Sequence, residues 1–244
     1  MTAWALVAVA AAVAACGESP GRPPTEICGM TLAGKLPPHA QCGPGLEFTP
    51  INDYRGQIAS VQVREDAVAL IAGVCTGTLI DAQAGPVVLT AGHCVTDGGS
   101  ELVAFNVEDN PDGDQLVTSG TVFERADQPD YALLRLDALP AVTPTQLTTQ
   151  SSDLVAVIQH PRGRPKVIAE GKLAGECDDQ IYYLDLDTLV GSSGAGVLTR
   201  NGYLLGVHTD GDCALDGSGS NHGWTAAAIV AASAYLQPGD IADR

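Results

Sequence analysis

Three short segments of the chain carry the residue types that acyl transfer needs. Thr90-Ala91-Gly92-His93-Cys94 offers an imidazole, Asp130-Tyr131-Ala132-Leu133-Leu134-Arg135-Leu136 a carboxylate, and Gly191-Ser192-Ser193-Gly194-Ala195-Gly196 a hydroxyl. A serine hydroxyl attacks a carbonyl when a base takes its proton, and an imidazole does so when a carboxylate holds its tautomer and offsets its charge. Backbone N–H groups in a glycine-bracketed turn supply donors for the oxyanion that forms. His93, Asp130 and Ser193 are therefore the candidate catalytic residues. Taken singly, each has a bland reading: one of five histidines, one of 29 acidic residues, a small residue in a turn. Context selects them. The apolar run Val87-Val88-Leu89 delivers His93 to a loop, and the apolar residues after Asp130 bury its carboxylate, which then requires a partner such as an imidazole N–H. Asp127 lacks that apolar run, and Asp137 lies at its far end.

Other chemistries fit less well. Neither an HExxH pattern nor a clustered His/Asp set points to a catalytic metal, and no cofactor is expected. An α/β-hydrolase elbow needs Gly-x-Ser-x-Gly, broken here by Ala195, followed by a helix, with the order Ser, Asp, His. After Ser193 the chain instead reads as a hairpin, Gly196–Thr199 and Tyr203–His208 around Asn201-Gly202.

The elements that must position these residues read as β. The chain has 244 residues, 28 glycines and 15 prolines against only 5% aromatics, a composition of many turns and few long helices. Short runs rich in β-branched and aliphatic residues recur between turn signals: Gln57–Val63, Ala67–Ala72, Val74–Ile80, Pro86–Thr90, Gln115–Phe123, Tyr131–Leu136, Leu154–Gln159 and Ile181–Leu186. Such spacing suits barrels or sandwiches. The alanine-rich stretch Thr225 to Leu236, ending before Pro238-Gly239, predicts a C-terminal helix. A net charge of −17 sets a field that repels phosphate backbones, so nucleic acid is excluded as a partner.

The three segments, with Cys75-Thr76-Gly77-Thr78-Leu79-Ile80 ahead of the first, resemble those of the chymotrypsin/trypsin-like serine protease superfamily over roughly Ile51 to Leu236. That resemblance implies two six-stranded antiparallel β-barrels with a C-terminal helix, and a serine endopeptidase acting on protein or peptide substrates, as a monomer. It makes Ser193 the nucleophile and the N–H groups of Gly191 and Ser193 the oxyanion hole. A catalytically inactive binding module on the same fold is the non-enzyme alternative. Ser192 stands where animal digestive enzymes carry an aspartate that pairs with a newly cut N-terminus, so that switch is unavailable. Gly-x-Ser-Gly without the acid is similar to the bacterial glutamyl and lysyl endopeptidase branches. Specificity has rival candidates. Asp187, six residues before Ser193, resembles a basic-residue pocket, whereas Thr188 with His208 resembles the carboxylate-binding pair of glutamyl endopeptidases. Glu is ranked ahead of Arg or Lys.

Three regions divide the chain. Residues 1–15 read as a signal peptide, too short to span a bilayer, and Val13-Ala14-Ala15-Cys16 resembles a bacterial lipobox, which makes Cys16 the lipidation site and the membrane contact. Residues 16–50 read as a Pro/Gly-rich arm or tether, and 51–244 as the protease domain. The expected location is the bacterial cell envelope or the exterior. With Cys16 lipidated, six cysteines remain for three disulfides in an oxidising compartment. The resemblance pairs Cys75 with Cys94. Cys177 with Cys213 and Cys28 with Cys42 are the further pairs, with an exchange such as Cys28 with Cys213 left open.

Overall fold

The computed structural model of the protein describes residues 25–27, 30–32 and 40–242. In chain order the strands are β1 (Thr25–Ile27), β2 (Met30–Leu32), β3 (Thr49–Pro50), β4 (Val68–Ile71), β5 (Cys75–Ile80), β6 (Val87–Thr90), β7 (Ser100–Phe105), β8 (Leu116–Asp127) and β9 (Asp130–Leu136). They continue as β10 (Leu154–Gln159), β11 (Val167–Cys177), β12 (Gln180–Leu184), β13 (Gly196–Thr199), β14 (Leu204–Asp210) and β15 (Asn221–Thr225). The helices are α1 (Val61–Arg64) and α2 (Ala226–Ala232).

Two closed antiparallel barrels result. The first runs β4-β5-β6-β9-β8-β7 and closes by pairing β4 with β7. The second runs β10-β13-β14-β15-β12-β11 and closes by pairing β10 with β11, with β3 added beside β11. Closure removes the unpaired edges that open sheets expose. Each barrel has its own apolar interior, around Ile71, Phe105 and Leu134 in the first and around Val157, Tyr183 and Val197 in the second. A third cluster joins Ile80, Leu89 and Leu133 of the first barrel to Ile158 and Leu204 of the second and to Ile229 of α2. The barrels are therefore fused through a shared core.

Some elements differ from the sequence reading. Gln57–Val63 is not a strand; the chain bends there and forms α1. Strand β7 starts with three non-buried residues, Ser100, Glu101 and Leu102, and β11 is interrupted by Gly171, Lys172 and Gly175, so neither shows a clean period of 2. The Asn201-Gly202 hairpin forms, with only Gly202 at positive φ. The C-terminal helix starts at Thr225, whose hydroxyl accepts from Ala228 N–H, but stops at Ala232. Beyond it, the Glu124 carboxylate takes the N–H groups of Ala234 and Tyr235 and holds them out of helical pairing. Among the described residues no helix is long and apolar enough to cross a membrane.

The disulfides require a correction. Cys75 pairs with Cys94 as expected, at a Cα separation of 6.1 Å. Cys42, however, pairs with Cys213, at 4.8 Å, in place of Cys28 with Cys42 and Cys177 with Cys213. The cause is the path of the arm. Gly43 N–H bonds the Ala214 carbonyl, and Cys42 N–H bonds Asp187, so Cys42 is laid against the loop after β14. Cys177 is also disulfide-bonded. Cys16, Cys28 and the signal segment lie outside the described residues.

Candidate active site

Strand β6, buried at all four positions, ends at Thr90 and leads into a tight turn at Gly92–Cys94 that presents His93. The Thr90 hydroxyl donates to the Thr76 carbonyl at 2.6 Å, and the Cys75–Cys94 bond fixes the other side of the turn. Asp130 opens β9. Its Oδ2 lies 2.6 Å from His93 Nδ1, and its Oδ1 accepts from the His93 backbone N–H at 2.9 Å. One carboxylate thus fixes both the ring and the backbone of the same residue. The fit explains Gly92, because a Cβ there would sit 2.8 Å from Asp130 Oδ1. The Asp130 side chain is 16% exposed and His93 48%. The hydrogen bond to Asp130 raises the His93 pKa above the ordinary histidine range; burial opposes it, and the charges of Asp130 and Asp210 add to it.

The serine turn is built from the second barrel but anchored on the first. Thr76 on β5 donates its N–H to the Ser193 carbonyl at 2.9 Å and its hydroxyl to the Gly191 carbonyl at 2.8 Å, while accepting from His160 N–H at 3.0 Å. Thr76 therefore couples the turn to the strand beside β6, and Cys94 Sγ lies 3.7 Å from the Ser193 carbonyl. Within the turn, the Ser192 hydroxyl accepts from Leu189 N–H at 2.9 Å, and Gly194 N–H donates to the His208 carbonyl. Gly191 has φ +99°, and a side chain there would press on Arg162 N and the His160 carbonyl. The Val190 carbonyl accepts from Arg162 N–H at 2.6 Å. Because a trans peptide directs its C=O and N–H oppositely, the Gly191 N–H points away from the Arg162 loop. Among the described residues neither Gly191 N–H nor Ser193 N–H has a protein acceptor, which leaves both available to an oxyanion.

Ser193 opens onto a cleft of about 390 Å³ lined by Ala40, Arg162, Thr188, Leu189, Val190, His208, Thr209 and Gly211. Thr188 and His208 thus share the cleft with Ser193. Burial drives the His208 pKa down to about 3, so its ring is neutral, and its Nδ1 meets the Tyr183 hydroxyl. Asp187 does not line the cleft, which corrects its assignment to the substrate pocket. It is 2% exposed, and its two oxygens accept from Cys42 N–H at 2.7 Å and Glu47 N–H at 2.6 Å. Its charge holds the arm. The arm in turn places Ala40 in the cleft wall, where its carbonyl accepts from Thr188 N–H and Asn221 Nδ2.

Thr76, Ala40 and Arg162 were not marked as site residues by sequence. Thr76 acts through contacts 84 or more residues away in the chain and Ala40 through contacts 148 or more away, which no local pattern encodes. Arg162 had one available signal, a basic residue in the turn His160-Pro161-Arg162-Gly163.

Residues 75–207, just over half of the chain, match the family described as the trypsin-like peptidase domain. No curated protein sequence matches the chain. Among solved structures, the chain is similar to the serine endoprotease from Yersinia pestis (17% identity, TM-score 0.52), with 66% of this chain aligned to 60% of that one. It is also similar to the Rv3671c protease in its inactive form (21% identity, TM-score 0.54), with 70% of this chain aligned to 89% of that one. At these identities the likeness speaks to the fold.

Proposed function

The chain belongs to the trypsin-like peptidase domain family, and from that premise we propose that it is a serine endopeptidase working through His93, Asp130 and Ser193. The observation that carries the reading is the double hydrogen bond of Asp130 to His93 beside the Ser193 turn. In this mechanism Ser193 Oγ attacks the substrate carbonyl and passes its proton to His93 Nε2. Asp130 keeps the Nδ1 proton in place and offsets the imidazolium charge. The carbonyl oxygen, now an anion, meets the N–H groups of Gly191 and Ser193. His93 then protonates the departing amine, and a water deprotonated by the same ring releases the acyl group from Ser193.

The peptide side chain before the scissile bond enters the cleft of Thr188 and His208. Glu is the favoured residue there, because the cleft offers polar walls and the one carboxylate suited to attract Arg or Lys, Asp187, is committed to the arm. Signal-peptide removal and lipid on Cys16 place the enzyme at the cell envelope in this reading, supported by the small residues that precede Cys16.

Replacing the nucleophile tests the proposal. Ser193→Ala should lose peptide hydrolysis by about 10⁴-fold or more while its circular dichroism and melting curve match the parent, since only an oxygen at a cleft is removed. Unchanged turnover in the purified variant contradicts it.

A further inference from the structure

We propose that Arg162 is the counter-ion for an acidic substrate side chain and sets the enzyme's preference for Glu before the scissile bond; this rests on the serine endopeptidase reading above. The argument starts from charge. Of the residues lining the cleft that holds Ser193, Arg162 alone is ionised, because burial keeps His208 neutral. A chain with 29 acidic residues and 12 basic ones has thus placed a cation in that wall. Asp187 lies outside the cleft with both oxygens bonded, and Asp210, the next acid along β14, is held by the Thr209 hydroxyl at 2.7 Å and stands 3.7 Å from His222 Nε2.

Position supports charge. Arg162 is exposed, and no carboxylate among the described residues pairs with it, whereas Arg125 pairs with Asp127 and Arg200 with Asp153. Its backbone is left-handed, φ +58°, a conformation that non-glycine residues rarely adopt. The hydrogen bond from Arg162 N–H to the Val190 carbonyl holds it there, one residue from Gly191. The same residue thus supports the oxyanion turn through its backbone and supplies a planar, permanently charged donor through its side chain. A guanidinium matches a carboxylate with two parallel hydrogen bonds, and the neutral Thr188 and His208 add polarity without competing charge.

The test uses the full chain and matched peptides bearing Glu, Gln or Lys before the scissile bond. Arg162→Gln keeps the backbone N–H and a Cβ, so the turn is preserved. The parent should favour Glu over Gln in kcat/KM, and Arg162→Gln should lower that ratio by about tenfold through loss of a charge-assisted pair. Arg162→Glu should shift preference toward Lys. Arg164→Gln, a change of equal charge at a residue outside the cleft, should keep the Glu-over-Gln ratio. A ratio that ignores both Arg162 changes, or that Arg164→Gln lowers as much, overturns the assignment. A parent enzyme that hydrolyses none of the peptides and whose Ser193 takes up no phosphonate would instead sink the endopeptidase reading. In that event, binding of Glu-ended against Gln-ended peptides decides the role of Arg162: a Glu preference lost in Arg162→Gln supports it, and an affinity independent of Arg162 contradicts it.

Discussion

Asp130 commits both carboxylate oxygens to His93, one to the ring and one to the backbone, and the consequence is a histidine whose protonated form is favoured. Hydrolysis needs the neutral ring. Activity should therefore rise with pH along a limb centred above the ordinary histidine value of 6.5 and be lost as pH falls through it. Asp130→Asn should move that limb down and cut kcat by about 10⁴-fold, as read from pH profiles of kcat/KM. A limb that stays put in the variant would show that Asp130 does not set the ring's ionisation. His93, Asp130 and Ser193 could be picked out of the sequence as candidates because each sits in a local run whose neighbours suggest its proposed role. The contacts of Asp187 and Arg162 could not be read there. Spacing put Asp187 six residues from Ser193 but could not reveal that Cys42 and Glu47, far upstream, would take its oxygens.

At the scale of elements, a buried ionic cluster ties the two barrels together. Lys166, just before β11, has no exposed side-chain surface; its ammonium bonds the Glu65 carbonyl at 2.7 Å, the Glu65 carboxylate, and Glu108 Oε1 at 2.6 Å. Glu65 and Glu108 belong to segments flanking first-barrel strands, so the second barrel supplies the cation and the first supplies the carboxyl groups that bond it. Burial pushes the Glu65 pKa up to about 8, against the pull of Lys166. Burial also works against ionised Glu108, but hydrogen bonds from Glu65 and Lys166 overcome it and hold Glu108 below its ordinary value. A raised carboxyl favours the folded state while protonated, so the Glu65 contribution is lost as pH climbs from 4.5 to about 8. Urea unfolding should show this loss in the parent and not in Glu65→Gln. Lys166→Met should destabilise by about 3–5 kcal/mol, because it leaves a buried carboxylate unpaired. An unchanged urea midpoint for Lys166→Met would rule out the clamp. No sequence pattern announced this cluster, since its members are 43 to 101 residues apart. Strands such as β5 and β6, buried throughout, were readable, whereas β7 and β11 were hidden by polar residues and glycines.

For the whole molecule, composition led to an all-β chain with a terminal helix, and the pair of barrels came from the resemblance carried by three short segments. The arm shows why pattern stops there: residues with no periodicity become part of the cleft wall through Asp187, Asn221 and the Cys42–Cys213 bond. At the head of that arm, mass spectrometry of the mature N-terminus should find lipid on Cys16; an unmodified terminus cut elsewhere would remove the anchor from the account. The central claim is that the two barrels bring His93, Asp130 and Ser193 into one reactive constellation, with the Gly191 and Ser193 N–H groups free for the oxyanion. A serine-directed phosphonate tests it most directly, because its attachment requires an activated hydroxyl and requires no knowledge of the substrate. The prediction is a single adduct per chain, mapped to Ser193 and lost in His93→Ala. A folded chain that takes up no phosphonate at Ser193, or takes it up equally without His93, would contradict the account.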